Sequence, residues 1–278
     1  MSMHSPLVTF MGTTPNIGTS IAALAAACRI AQDTNAKVGY LCLNLKSAKS
    51  HRYLGVDNPL ETLDSLRPEL RSLSLHPEKL LLATHSVIEG LHVLFGNVLR
   101  DQAEFFTSEE VDHLLDVARQ TFDIVIADVG AYWDNAATLC ALRGASLRLV
   151  VTTGALSHFQ EDGQRWLKQL SPLFGIPGDQ YEAIIIQTTW RNGGFHVKEI
   201  CNELGVPLLG ELKLSEPMLS QLDSGTLDQW LVSDEQGKQA MAQPVQHIIQ
   251  RYGLPRRPGL HAQPWYRKLM THRDGVST

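Results

Sequence analysis

The sequence predicts an α/β fold: a doubly wound, mostly parallel sheet with helices on both faces. Three observations carry this expectation. Short continuous apolar runs recur along the chain with helical stretches between them, the pattern of strands buried on both faces. The first run opens into a glycine-containing turn and a small-residue helix, and a later run ends in the lone acid Asp128. In such sheets the crossovers are right-handed and ligands sit at the carboxyl ends of the strands.

The elements follow in order. Leu7-Val8-Thr9-Phe10-Met11 reads as the first strand and Ile21 to Gln32 as the helix after it. Val38 to Leu43 is a second apolar run, and Leu80 to Ala83 and Leu91 to Phe95 read as two short strands joined through Glu89-Gly90. Ser108 to Gln120 carries Val111, Leu114, Leu115 and Ala118 at helical spacing, with Thr107 or Ser108 as its N-cap. Ile124 to Ala127, Leu147 to Val151 and Ala183 to Ile186 are further buried strands, and Val206 to Gly210 is a shorter one. Pro172 to Gly178 and Arg191 to Gly194 have loop composition. The run Pro255-Arg256-Arg257-Pro258-Gly259 breaks any helix, so the expected division is a globular domain over 1–253 and a tail over 254–278.

Composition narrows the class. At 278 residues, 44% apolar and 19% charged, the chain matches a single ordinary globular domain. It has no apolar run of about 18 residues, and its start lacks the regions of a secretory signal. Cys28, Cys42, Cys140 and Cys201 are scattered in apolar segments with no CxxC pair, which predicts buried free thiols and a cytoplasmic protein. From Arg251 onward six basic residues face one acid, a balance of +5 in a chain of net −5, which leaves −10 on residues 1–250. A body that acidic excludes general nucleic-acid binding.

Gly12-Thr13-Thr14-Pro15-Asn16-Ile17-Gly18-Thr19-Ser20 is nearly a phosphate-binding loop. Strand, glycine turn and helix N-terminus form the setting in which backbone N–H groups cradle phosphate. The pattern G-x-x-x-x-G-K-[ST] would place lysine at position 19, where this chain has Thr19. Ser20 keeps the hydroxyl that reaches magnesium. A plain strand-to-helix turn is the alternative. Asp128, at the end of its buried strand, is placed as a metal carboxylate that would act with Ser20, or as a residue satisfying a turn.

Other chemistries find little support. The eleven histidines show no HExxH spacing, and His85 and His92 sit among apolar residues. Ser5, Ser157 and Ser171 lie in no G-x-S-x-G elbow. Trp133, Trp166, Trp190 and Trp230 read as core or interface filling.

The order of these pieces resembles the MinD/ParA group of deviant-Walker P-loop ATPases, and within it the CpaE/TadZ branch that positions and assembles pili. The stretch Cys42-Leu43-Asn44-Leu45-Lys46-Ser47-Ala48-Lys49-Ser50-His51-Arg52-Tyr53-Leu54-Gly55 is similar to the branch pattern D-L-D-L-x-x-G-D-x-x-x-Y-L-G. Phe122 to Asp134, Leu147 to Thr153, Val206 to Gly210, Ser215 to Met218 and Ser224-Gly225 resemble its later segments. The likeness runs from about residue 6 to residue 232.

What the resemblance implies is a degenerate site. Thr14 occupies the position of the family's signature lysine, which crosses a dimer to the partner's phosphates, and Thr19 that of the conventional loop lysine. Cys42 and Asn44 stand in for two aspartates that help place magnesium and water. Gln187 replaces the asparagine that reads adenine. Gly12 to Ser20 and Gln187 are the expected nucleotide-binding residues, Ser20 and Asp128 the expected magnesium ligands. ATP with magnesium is expected to bind weakly, and no efficient catalysis is expected. The implied role is a homodimeric scaffold or localisation factor in pilus, secretion or cell-pole assembly. A slow ATPase acting in positioning or partition is the alternative. The tail segment Trp265-Tyr266-Arg267-Lys268-Leu269-Met270 mixes aromatic, basic and aliphatic residues. It would dock a protein partner or, as MinD-like proteins do through a C-terminal amphipathic helix, touch the inner face of a membrane.

Overall fold

Eight strands form one sheet in the computed structural model, which describes residues 4–188 and 194–257. They are β1 (Leu7–Gly12), β2 (Val38–Leu43), β3 (His85–Ile88), β4 (Leu91–Leu94), β5 (Ile124–Val129), β6 (Leu147–Thr153), β7 (Tyr181–Thr188) and β8 (Leu208–Leu214). Their order is β3-β4-β2-β5-β1-β6-β7-β8, and each neighbouring pair is parallel except β3 with β4. β1 lies at the centre, between β5 and β6, where the chain's direction of winding reverses. That reversal opens a crevice at the carboxyl ends of the strands.

The helices are α1 (Thr19–Asp33), α2 (Ser50–Tyr53), α3 (Arg67–Arg71), α4 (Pro77–Leu82), α5 (Ser108–Thr121), α6 (Ala136–Gly144), α7 (Ser171–Leu173), α8 (Val197–Leu204), α9 (Glu216–Asp223), α10 (Leu227–Ser233), α11 (Glu235–Gln239) and α12 (Ala242–Tyr252). Ser157–Gly163 and Arg165–Leu170 are wound as π-helix. On one face of the sheet, α1 packs with α10 and α12 around Phe10, Tyr40 and Ile126. On the other, α5, α6 and α8 pack around Leu41, Val125 and Ile185. β1, β2 and β5 are buried along their whole length, which is why they read as unbroken apolar runs. The small residues of α1 suit a helix enclosed on nearly all sides: Ile21 to Cys28 are all buried.

Local chemistry sets the boundaries. Thr107 caps α5 in a reciprocal box, its Oγ1 accepting from the Glu110 N–H at 3.2 Å while Glu110 Oε2 accepts from the Thr107 N–H at 3.0 Å. Asn135 caps α6, accepting from the Thr138 N–H at 3.0 Å.

Two expectations are corrected. Leu80 to Ala83 is not a strand: it falls at the end of α4 and just beyond it. Pro77 starts that helix, Leu80 is buried and Leu82 is 79% exposed, so only one side of the segment meets the core. The first strand of the hairpin is instead His85–Ile88, turning through Glu89 and Gly90, the latter at φ +87. The last strand begins after Pro207 and runs to Leu214. It lies at the edge of the sheet, and Glu211 and Lys213 alternate outward.

The four cysteines are buried free thiols as expected. His92 is half-buried against the Phe122 ring, whereas His85 is exposed and stacks on Phe95. Trp166 and Trp230 are buried and Trp133 is 41% exposed. Trp190, residues 191–193 and the basic-aromatic segment at 265–270 lie outside the described residues. Among the described residues no helix is long and apolar enough to cross a membrane.

The chain remains against the body through Arg257. Its guanidinium donates to the Thr34 carbonyl at 2.9 Å and to Glu89 Oε2 at 3.1 Å, and its N–H donates to the Asp33 carbonyl at 3.1 Å. These contacts sit at the C-terminal end of α1, opposite the crevice.

Candidate functional site

A cleft of about 620 Å³ opens at the carboxyl ends of the strands. Its floor is the turn from β1 into α1, where Asn16 takes φ +60 and Gly18 φ +104. Those left-handed residues fold the loop back so that α1 begins pointing at the cleft. Gly18 is the N-cap and no side chain caps the helix. The N–H groups of its first turn are therefore unspent, and the helix dipole adds partial positive charge there. Gly12 is required by a close approach: a Cβ there would lie 2.5 Å from Thr19 Oγ1.

Of the expected nucleotide residues, Thr14, Pro15, Asn16, Ile17, Gly18, Thr19, Ser20 and Gln187 line the cleft together. Gly12 and Thr13 lie behind it; Thr13 is buried and its hydroxyl donates to Thr152 Oγ1 at 3.0 Å. The Thr14 hydroxyl donates to Asp162 Oδ2 at 2.6 Å, joining the loop to the π-helical segment. Gln187, at the end of β7, donates its amide to Glu211 on β8. Beside it the wall turns apolar through Ile186, Leu214, Leu219 and Phe195.

Asp128 lies beneath the floor, wholly buried on β5, in register with Phe10 of β1 and Cys42 of β2. The Tyr40 hydroxyl donates to its Oδ2 at 2.8 Å. Burial pushes the carboxyl up to about 6, against the opposing pull of the Ser20 and Tyr40 hydroxyls. Its Oδ1 completes no hydrogen bond. The Cys42 thiol is pushed up to about 11, by burial first and by Asp128 second, so it offers no anionic ligand near neutral pH. Asn44 lines the cleft with a buried Oδ1 that also lacks a partner, and a Cβ on Gly130 would lie 2.6 Å from that oxygen.

These features fit a magnesium-nucleotide. Asp128 Oδ1, which lacks a hydrogen-bond partner, is a buried acceptor that a cation would satisfy, and the uncapped turn of α1 suits phosphate oxygens. Among the described residues no group of three or more His, Cys, Asp or Glu side chains could hold a metal by itself. A magnesium ion here would thus draw most of its ligands from phosphate and water.

Sequence reasoning missed Lys49. It follows β2, its carbonyl accepts from the Arg52 and Tyr53 N–H groups of α2, and it lines the cleft. Its place after a buried strand was a signal, since such loops face the ligand side of a parallel sheet.

No protein-family model matches the chain, and no curated protein matches it. Solved structures do. A ParA family ATPase from Chlorobium tepidum superposes with a TM-score of 0.76 at 19% identity, covering 87% of this chain and 99% of its own. The MinC:MinD cell division complex of Aquifex aeolicus gives 0.70 at 15% identity, with 88% and 96% covered. The septum site-determining protein MinD of Pyrococcus horikoshii, complexed with Mg-ADP, gives 0.70 at 14% identity, with 90% and 98% covered. At these identities the likeness is one of architecture: the chain has the P-loop fold of the ParA and MinD ATPases.

Proposed function

We propose that this chain is a catalytically impaired protein of MinD/ParA type that binds a magnesium-nucleotide weakly and serves as a self-associating scaffold or localisation factor. The pilus, secretion or cell-pole setting follows from the sequence likeness to the CpaE/TadZ branch. The observation that carries the reading is the loop itself. Its backbone is folded as a phosphate cradle, while Thr14 and Thr19 stand where cations would be and the Thr14 hydroxyl is spent on Asp162. Phosphoryl transfer places charge on the leaving oxygen. Removing one preorganised donor costs about a hundred- to a thousand-fold in rate.

When bound, magnesium would neutralise phosphate charge. Ser20 and Asp128 are the residues to hold it, the first turn of α1 would take the phosphate oxygens, and the apolar wall beside Gln187 would take the base. A nearby fold neighbour is complexed with Mg-ADP and another with MinC, which supports a nucleotide and a protein partner for this chain.

A second reading, a slow ATPase acting in positioning or partition, is favoured by the presence of both Ser20 and a buried Asp128. Nucleotide titration with magnesium followed by a turnover assay separates the two. Binding without measurable turnover is expected. Turnover at the pace of a MinD-type enzyme, abolished in Asp128→Ala, would establish the ATPase reading instead.

A further inference from the structure

We infer that Lys49 is the cation that engages the phosphate chain of the ligand in this cleft, supplied from the loop after β2 and not from the loop after β1. This rests on the reading of the cleft as a nucleotide site.

Charge is the first argument. Among the described residues lining the cleft, Lys49 is the only one with a full charge; no carboxylate and no arginine lines it. The lining is thus positive on two sides, from Lys49 and from the uncapped turn of α1. Two positive walls facing one space select an anion.

The second argument is a contrast between neighbours. Lys46, three residues earlier, is ion-paired with Asp134 and with Glu104, and its ammonium lies over the Tyr132 ring at 5.4 Å. It is already neutralised. Lys49 is half-buried and has no acidic partner among the described residues. A partly desolvated ammonium without a counter-charge is unfavourable unless an anion joins it.

The third argument is rigidity. The backbone at Lys49 is fixed by its carbonyl at the head of α2, and Ser50 and His51 behind it are buried. The far end of α2 is pinned where Gly55, at φ +69, meets Gly225 so closely that a Cβ would come 2.7 Å from the Gly225 carbonyl oxygen. The side chain therefore starts from a held backbone, which limits the backbone entropy lost on binding.

Isothermal titration of the full chain with MgATP, MgADP, pyrophosphate and adenosine tests this. The wild type is expected to bind the phosphate-bearing ligands better than adenosine. Lys49→Gln should weaken them by roughly ten- to a hundred-fold, the usual scale for a charge-assisted hydrogen bond. Adenosine binding and the thermal midpoint without ligand should not change. Lys49→Arg should stay within a few-fold of wild type, and the salt dependence of MgADP binding should be shallower in Lys49→Gln. Equal affinity of wild type and Lys49→Gln for every phosphate ligand would overturn the role of Lys49 and leave the site standing. If the wild type binds none of the four, the reading of the cleft falls, and this inference with it.

Discussion

Thr14 and Asp162 are 148 residues apart in sequence, yet the threonine hydroxyl donates to the aspartate carboxylate at 2.6 Å. The bond ties the floor of the cleft to the π-helical wall within one chain. In the resembled family the residue at this position reaches out of the chain, to the phosphates held by a partner. Here it is turned inward and engaged.

Breaking that bond should cost a modest amount of stability. Thr14→Val keeps the shape and removes the donor at a half-exposed site, so a loss of about 1 kcal/mol is expected. Urea unfolding measures it. An unchanged midpoint would mean that water replaces the bond at no cost.

Self-association should not depend on ATP. With Thr14 held by Asp162, the loop has no cation to offer across an interface, so any dimer contact should be apolar and constitutive. Light scattering with and without MgATP decides the point. A monomer that pairs only with nucleotide would show that the loop rearranges on binding.

Asp128 should leave a mark on the pH dependence of stability. Its folded value is raised to about 6 from an ordinary 3.8. The folded state therefore holds the proton more tightly than the unfolded state. The contribution is fully present below about pH 3.8 and is lost as pH rises through about 6. The change is on the order of 3 kcal/mol. Chemical unfolding of wild type and Asp128→Asn across pH 4 to 7 should show this slope in the first and not in the second. Magnesium-dependent nucleotide binding should run the other way and strengthen above about pH 6, where the carboxylate is free to accept the cation.

The Gly39 backbone lies against the Phe122 ring, and any Cβ at that position would collide with it. Gly39→Ala should destabilise the fold by about 1–3 kcal/mol, the usual cost of overpacking a filled core. Phe122→Leu in the same background should recover part of the loss. Thermal or urea midpoints of the three variants test this.

Two truncations should separate strap from tail. Ending the chain after Arg257 keeps the bonds to Thr34, Asp33 and Glu89 and should leave the melting temperature unchanged. Ending it after Leu254 removes them and should lower it by a few degrees, the shift that about 1–2 kcal/mol produces in a chain of this size. A pull-down with partners and with anionic liposomes then reads what residues 258–278 bind. Salt-reversible loss of liposomes alone would favour membrane contact, and loss of protein partners would favour docking.

How much was legible follows from what each residue answers to. β1, β2, β5, β6 and β7 announce themselves because both of their faces are buried. The sequence leaves two residues as the N-cap of α5, and the reciprocal bonds of Thr107 and Glu110 choose between them. Leu80 to Ala83 misled because a four-residue apolar run has no period long enough to distinguish helix from strand. The alternation through Glu211 and Lys213 was in plain view and marks an edge strand, but the nearer apolar pair Leu208-Leu209 drew the boundary short. The cradle loop and Asp128 were readable as a strand–turn–helix and a strand-end acid. Asp162 is not, since it gains its meaning only from Thr14, brought beside it by the packing of the π-helical segment, and Lys49 is signalled only by its place after a buried strand.

Helix α1 connects two features that never touch. Its first turn forms the floor of the cleft, and its last carbonyls and Thr34 receive Arg257, about 22 Å away at 1.5 Å per residue. Its alanines are buried against the sheet and the neighbouring helices. The molecule is therefore bipolar. Arg257 is held at one pole, and the cleft opens at the other. A contact made through Arg257 and a ligand held in the cleft would therefore occupy opposite ends of one helix, and neither would need to displace the other.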